Sequence, residues 1–180
     1  MYAYQSWALQ AKWLWLQKTD PNKPWSGLEF PIQQHVKSFF SASIVTMVGN
    51  GCNTLFWTDR WVDGSRIQDF APAVVANVGK RALSSRTVAH ALENWQWVSD
   101  IVTPLNLSGL QQYLNLWDAL RGVVLTQEAD RHVWIHSSSG QFSSKSCIRF
   151  YSWVRLLLNH GRGCERLGLH PNANFLFGWQ

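Results

Sequence analysis

The side chains able to hold a metal are scattered along this chain rather than gathered. His132 and His136 stand at i, i+4, a spacing that on a helix would bring both imidazoles to one ion. Val133-Trp134-Ile135 between them reads as a strand instead, and four strand residues span about 13 Å. Zinc–nitrogen bonds are only about 2 Å long, so a shared ion does not bridge that gap. His160 and Cys164 repeat the spacing, but Gly161 and Gly163 oppose a helix there, and His170 would add a third ligand at best. Asp59, Asp63 and Asp69 could converge on Mg²⁺; the habit of Asp to bond its own backbone makes turn capping the simpler role. No metal ligand set is assigned.

Catalytic groups are equally sparse. Two-metal polymerase chemistry needs clustered carboxylates, yet no two acidic residues are adjacent and no aromatic-x-Asp-Asp turn occurs. Cys147 lies near Lys145, and an adjacent base can activate a thiolate. Its place in a Cys147–Tyr151–Val154 helical stripe makes it a buried residue instead. There is no Ser-His-Asp order, G-x-S-x-G elbow or P-loop. The expectation is a protein with no catalytic residues, no cofactor and no enzyme activity.

The remaining chemistry is that of nucleic-acid binding. Lys145, Arg149 and Arg155 could neutralise phosphates, and Trp153 could stack under a base. On a helix Lys145, Arg149 and Trp153 share one face at four-residue steps, with Arg155 off it. A solvated basic face with Trp153 packed on a neighbour explains the same pattern, and the residues alone leave the two open. RNA or DNA is the partner this constellation suits.

Composition bounds the setting. The chain has 180 residues, enough for a sizeable core, and only 15% are charged, against about 25% in an average globular protein. That favours a surface that is partly apolar or meets neighbours. Twelve Trp residues are the compositional outlier, and Trp suits cores, interfaces and stacking platforms alike. The net charge is +5. Its surplus lies near the end of the sequence, where Lys145, Arg149, Arg155, Arg162 and Arg166 face Glu165 alone. Cys52, Cys147 and Cys164 form no C-x-x-C pair, which fits an intracellular, reducing compartment. No basic leader precedes an apolar run, and no run reaches the roughly 18 residues of a membrane span.

Hydrophobic spacing gives the elements that must position these groups. Tyr4, Ala8, Ala11 and Trp15 predict a helix over 3–17, ended before Pro21. A second helix is predicted from Pro31, with the stripe Val36, Phe39, Phe40, Ile44 and Met47 and a stop at Gly49. Leu55–Thr58 reads as a strand covered on both faces, and 66–80 as irregular around Ala71-Pro72-Ala73. Thr87 caps a helix through Val88, Ala91, Leu92 and Trp95, and Ser108 one through Leu110, Leu114, Trp117 and Leu120. Arg131–Ile135 pairs back on Gln141–Ser143, and Ser144 or Ser146 caps a last helix through Leu158. The fold class is α+β, mainly helical, with small antiparallel β-hairpins around Leu55–Thr58 and Arg131–Phe142.

Three segments in order carry a resemblance. Gly49-Asn50-Gly51-Cys52-Asn53-Thr54-Leu55-Phe56-Trp57-Thr58-Asp59-Arg60-Trp61-Val62-Asp63-Gly64 resembles the G-x-G-x-x-T-x-F-W-x-D-x-W-x-x-G signature of plant LINE-type (non-LTR) retrotransposon polyproteins. Leu9–Lys18 with Thr19-Asp20-Pro21 and Lys23-Pro24-Trp25 resembles the helix and loop before it. Trp134-x-x-x-Ser138-x-Gly140-x-Phe142-Ser143-x-Lys145-Ser146 resembles the opening of the family's reverse-transcriptase zinc-binding domain. The resemblance implies a connecting region over 1–130 and a truncated zinc-binding-like domain over 131–180. The family's C-P-x-C pair and later His and Cys have no counterpart, so zinc is not carried over; Pro171–Trp179 echoes only the segment before them. The reverse-transcriptase domain is absent from this chain. The implied role is auxiliary, holding RNA or DNA beside a reverse transcriptase, and implies nuclear residence. The competing reading is a decayed or domesticated remnant with a purely structural role.

Overall fold

The computed structural model describes residues 2–20, 23, 24, 28 and 30–159, and the side chains of those between 6 and 153. The chain begins with helix α1 (Tyr2–Thr19) and helix α2 (Gln34–Ala42). Trp7, Ala8, Ala11 and Trp15 of α1 are buried, so its helical stripe is the one the spacing predicts. Helix α2 stops earlier than its apparent stripe. The Ser43 N–H closes it on the Phe39 and Phe40 carbonyls, both at 3.0 Å, and Ile44–Met47 continue as strand β1. Ile44 and Met47 are therefore strand residues, not a helical continuation. The reason is β-branching: Ile44, Val45 and Thr46 in a row are stiff at χ1 and suit a pleated surface.

Four short helical turns follow, α3 (Ile67–Phe70), α4 (Pro72–Val75), α5 (Lys80–Ser85) and α6 (Val88–Leu92), and then a 3₁₀ segment over Glu93–Asp100. The region expected to be irregular thus holds helices, because Pro72 sits at a helix start, where its fixed φ is favourable. Thr87 does cap α6, accepting from the His90 N–H at 3.3 Å. The predicted run to Trp95 breaks at Asn94 and Trp95, whose φ of 49° and 56° are left-handed. A stack of Trp95 on Trp117, 4.7 Å between ring centres, accompanies that bend.

Helix α7 (Leu107–Leu120) is capped by Asn106, whose Oδ1 accepts from the Gly109 N–H at 2.8 Å, and not by Ser108. Its core face is Gly109, Leu116 and Leu120, while Leu110 and Leu114 remain about half exposed. Strand β2 (Arg131–Trp134) and helix α8 (Ser144–Asn159) complete the order. Ser143 caps α8 through the Ser146 N–H at 3.1 Å.

The architecture is α+β, mainly helical, with one small antiparallel sheet. One strand, Arg131–Trp134, is the expected one, but neither expected hairpin forms. β2 pairs with β1 across the chain, Ile44 opposite Trp134 and Thr46 opposite His132, and Gln141–Ser143 carries no strand. Leu55 makes only an isolated bridge to Thr87. Local groups take the segment's bonds instead: Asp59 Oδ2 accepts the Leu55 N–H at 2.7 Å, and the Phe56 carbonyl accepts the Trp61 indole at 2.8 Å.

Two apolar cores result. One gathers Phe56, Trp57, Trp61, Ile67, Val74, Val88, Trp97, Leu116 and Leu120. The other joins the early and late parts of the described residues, with Trp7, Trp15, Val36, Phe40 and Ile44 packed against Trp134 and Cys147. The expected boundary near residue 130 falls just before β2.

Candidate nucleic-acid interface and the signature loop

Helix α8 presents its proposed contact residues to solvent. Lys145 and Arg149 are exposed, and Trp153 is 48% exposed at the next four-residue step. The opposite side of the helix is apolar. Cys147 is fully buried, and burial pushes its thiol up to about 12, so it is a packing residue and not a nucleophile. Trp153 leans on Phe150, 5.8 Å between ring centres, which leaves part of the indole open. Three of the four predicted residues therefore share one accessible face. Arg155 belongs to α8, but its side chain lies outside the described residues.

The signature loop is organised by a residue the sequence did not single out. Asp130 Oδ1 accepts from the Gly49 and Gly51 N–H groups, both at 2.8 Å, and Oδ2 accepts from the Asn53 N–H at 2.9 Å and the Thr54 hydroxyl at 2.8 Å. Alternate N–H groups of one loop converge on this anion and form a nest-like cradle, akin to the backbone arrangements that elsewhere hold phosphates. Here the anion is internal. Burial alone would raise the Asp130 pKa, but the bonds from Thr54, Gly49, Gly51 and Asn53 together hold it below the usual carboxylate value. Both glycines are required by space. A Cβ on Gly49 would collide with the Glu128 carbonyl, and one on Gly51, at φ +71°, would lie 2.7 Å from the Ala89 nitrogen.

The remaining signature side chains lock the loop to its surroundings. Lys18 Nζ meets Asp59 Oδ2 at 2.6 Å, tying α1 to the turn. Arg60 donates to the Gly64 carbonyl at 2.9 Å and the Ala42 carbonyl at 3.0 Å. Trp57 Nε1 donates to Asp100 Oδ2 at 3.0 Å, and Arg86 grips the same carboxylate, Nε to Oδ2 at 2.9 Å. Asp69 accepts from the Arg66 N–H, and Asp63 occupies a left-handed turn position at φ 49°. The three aspartates are thus spread over separate contacts rather than converging on an ion.

The histidines are structural in the same way. His132 Nδ1 bonds Thr46 Oγ1 at 2.9 Å across the β1–β2 pair, and His136 Nε2 bonds Ser43 Oγ at 2.8 Å while stacking on Phe150 at 3.6 Å. Burial lowers both pKa values to about 4. Among the described residues no group of three or more His, Cys, Asp or Glu side chains is placed to share a metal. His160, Cys164, His170 and the Pro171–Trp179 echo lie outside the described residues. No helix among the described residues is long and apolar enough to cross a membrane.

No family model matches the chain, and no curated protein or solved structure compared with it matches either.

Proposed function

We propose that this chain is an auxiliary, non-catalytic nucleic-acid-binding segment of a retrotransposon reverse-transcriptase-like protein. The observation that carries the reading is the exposed face of α8, with Lys145 and Arg149 in line with a half-open Trp153. Two cations can each neutralise a phosphate, and an indole face accepts any base, worth roughly 1–3 kcal/mol per stacked base. The resemblance of the Gly49–Gly64 signature to LINE-type polyproteins supplies the setting. RNA or DNA would lie along α8 beside a reverse-transcriptase domain carried elsewhere.

Anisotropy of a labelled single-stranded RNA at low and moderate salt tests it. Saturable binding that weakens with salt, with a log–log slope of about −1.4 for two neutralised phosphates, is expected. A folded protein that leaves the RNA free at low salt would overturn the reading.

One further observation favours a scaffolding contribution. Residues 101–117 contain no charged side chain, and within them Leu107 is 85% exposed, Leu110 49% and Leu114 50%. Such a stripe suits packing against a neighbouring domain. Replacing Leu107 and Leu114 with Ser would then improve solubility and leave RNA binding unchanged; unchanged solubility would remove the scaffolding reading.

A further inference from the structure

A small cavity of about 110 Å³ opens beside the turn that follows the signature glycines, lined by Lys18, Phe40, Ser41, Thr46, Asp59 and Arg60. That is several times the roughly 10–15 Å³ that admits a single water. Its charge is unbalanced. Lys18 and Arg60 are two cations, and the cavity holds one carboxylate, Asp59, whose Oδ2 already accepts from Lys18 and from the Leu55 N–H. Arg60 makes no ion pair among the described residues; its bonds go to the neutral carbonyls of Gly64 and Ala42. A half-buried guanidinium held only by carbonyls keeps further N–H groups unused, as does the Lys18 ammonium after its single bond to Asp59. The Ser41 hydroxyl makes no hydrogen bond among the described residues either.

We propose that this cavity binds a phosphate-type oxyanion, held by Lys18 and Arg60 with the Ser41 hydroxyl as a neutral donor. The chemistry favours an anion over a cation. A metal ion would meet two positive side chains and one carboxylate oxygen already doubly engaged, whereas hard cations take six or more oxygens. A tetrahedral anion instead meets unused charged donors, whose hydrogen bonds are about twice as strong as neutral ones. Neighbouring charge agrees: Arg66 adds to the positive field on Arg60, and Asp69 offsets part of it.

The cavity's position relates it to α8 without depending on it. Trp7 packs on Tyr151 at 4.0 Å and Trp15 on Phe142 at 6.0 Å, so α1 runs antiparallel to α8. Lys18 therefore lies beyond the N-terminal end of α8, the end that carries Lys145. The anion is either free inorganic phosphate or a phosphodiester of a strand that follows α8. Failure of the α8 reading leaves this site intact, and the two are read at different residues.

The test is a titration of inorganic phosphate into the wild-type protein against chloride of matched ionic strength, followed by amide chemical shifts. Saturable shifts at Thr46, Asp59 and Arg60 are expected. Shifts that are absent, or that concentrate on Lys145–Trp153, overturn the proposal. A Lys18→Gln/Asp59→Asn double variant removes one cation together with its partner, and the side-chain amide introduced at position 59 keeps an oxygen for the Leu55 N–H. Its phosphate affinity is expected to fall about tenfold or more, and an unchanged affinity also overturns the proposal. A single-stranded oligonucleotide that displaces phosphate from these amides identifies the phosphodiester as the source. One that leaves them unchanged identifies the free ion, and the site stands in both arms.

Discussion

Trp57 and Asp100 are joined by an indole N–H to carboxylate bond of 3.0 Å inside the first core, with Trp57 fully buried and Asp100 5% exposed. Arg86 reaches the same carboxylate from the rim, and hydrogen bonding to Asp100 raises its own pKa. The Arg86 carbonyl in turn accepts the Phe56 N–H at 2.8 Å. One buried acid therefore fixes the aromatic centre of the signature and the segment leading into α6.

Asp100→Ala should destabilise the protein by about 2–4 kcal/mol, because it leaves a buried indole N–H unpaired and takes the carboxylate from Arg86, which keeps only Gln96 at the rim. Trp57→Phe should cost less than Trp57→Ala, since it keeps most of the ring. Urea denaturation of the single variants and of Trp57→Phe/Asp100→Ala would show strong coupling; additive costs would mean the two residues act separately.

Asp130→Ala should cost about 2–4 kcal/mol, since the N–H groups of Gly49, Gly51 and Asn53 and the Thr54 hydroxyl lose one shared acceptor. The space left is shaped for a carboxylate, so formate added at constant ionic strength should restore part of the melting temperature of the variant and not alter the wild type. Equal effects on both proteins would refute an anion nest.

Acid should weaken the fold in two stages. His132 and His136 have folded pKa values near 4, below the ordinary 6.5. Between these values the unfolded chain binds protons that the folded chain refuses, so stability falls as pH drops from 6.5 towards 4 and this contribution then levels. Asp130, depressed below 3.8, adds a second loss as pH falls past that value. His132→Gln/His136→Gln should flatten the first stage of a melting-temperature profile and leave the second.

On α8, Trp153→Ala should weaken single-stranded RNA binding by roughly 1–3 kcal/mol with little change in salt dependence. Lys145→Gln/Arg149→Gln should lower the salt slope towards zero. Anisotropy read at several salt concentrations separates the two effects.

Helices with a plain stripe were legible in the sequence: Ala8, Ala11 and Trp15 in α1 and Cys147 in α8 occupy the buried positions their spacing predicts. The errors have physical causes. Ile44 continues a four-residue helical step and also begins a strand alternation, and its β-branched neighbours decide for the strand. Ser108 offers a capping pattern, yet Asn106 is the better-placed acceptor; separately, the tertiary contacts of α7 bury Leu116 and Leu120 and leave Leu110 and Leu114 half exposed. Leu55–Thr58 looks like a strand because its apolar residues are consecutive; the bonding partners that make it a turn come from Asp59 and Trp61. Asp130 carried no local signal at all, because its partners lie about eighty residues earlier. The exposed triad on α8 was readable from spacing, since four-residue steps fix a helix face without tertiary information.

The clamp between Asp130 and the glycines also fixes where the chain leaves and returns. Asn50 N–H meets the Glu128 carbonyl at 2.7 Å, and Thr126 N–H meets the Gly49 carbonyl at 2.9 Å, directly beyond the β1–β2 pair. Most of the chain between these points builds the first core, and the two ends of that segment are adjacent. The helix–strand frame of α1, α2, β1, β2 and α8 carries the second core. Residues 49–130 thus leave and re-enter the frame at one point, and the Lys18–Asp59 and Arg60–Ala42 contacts fasten the loop a second time, so strain at the clamp is shared with α1 and α2.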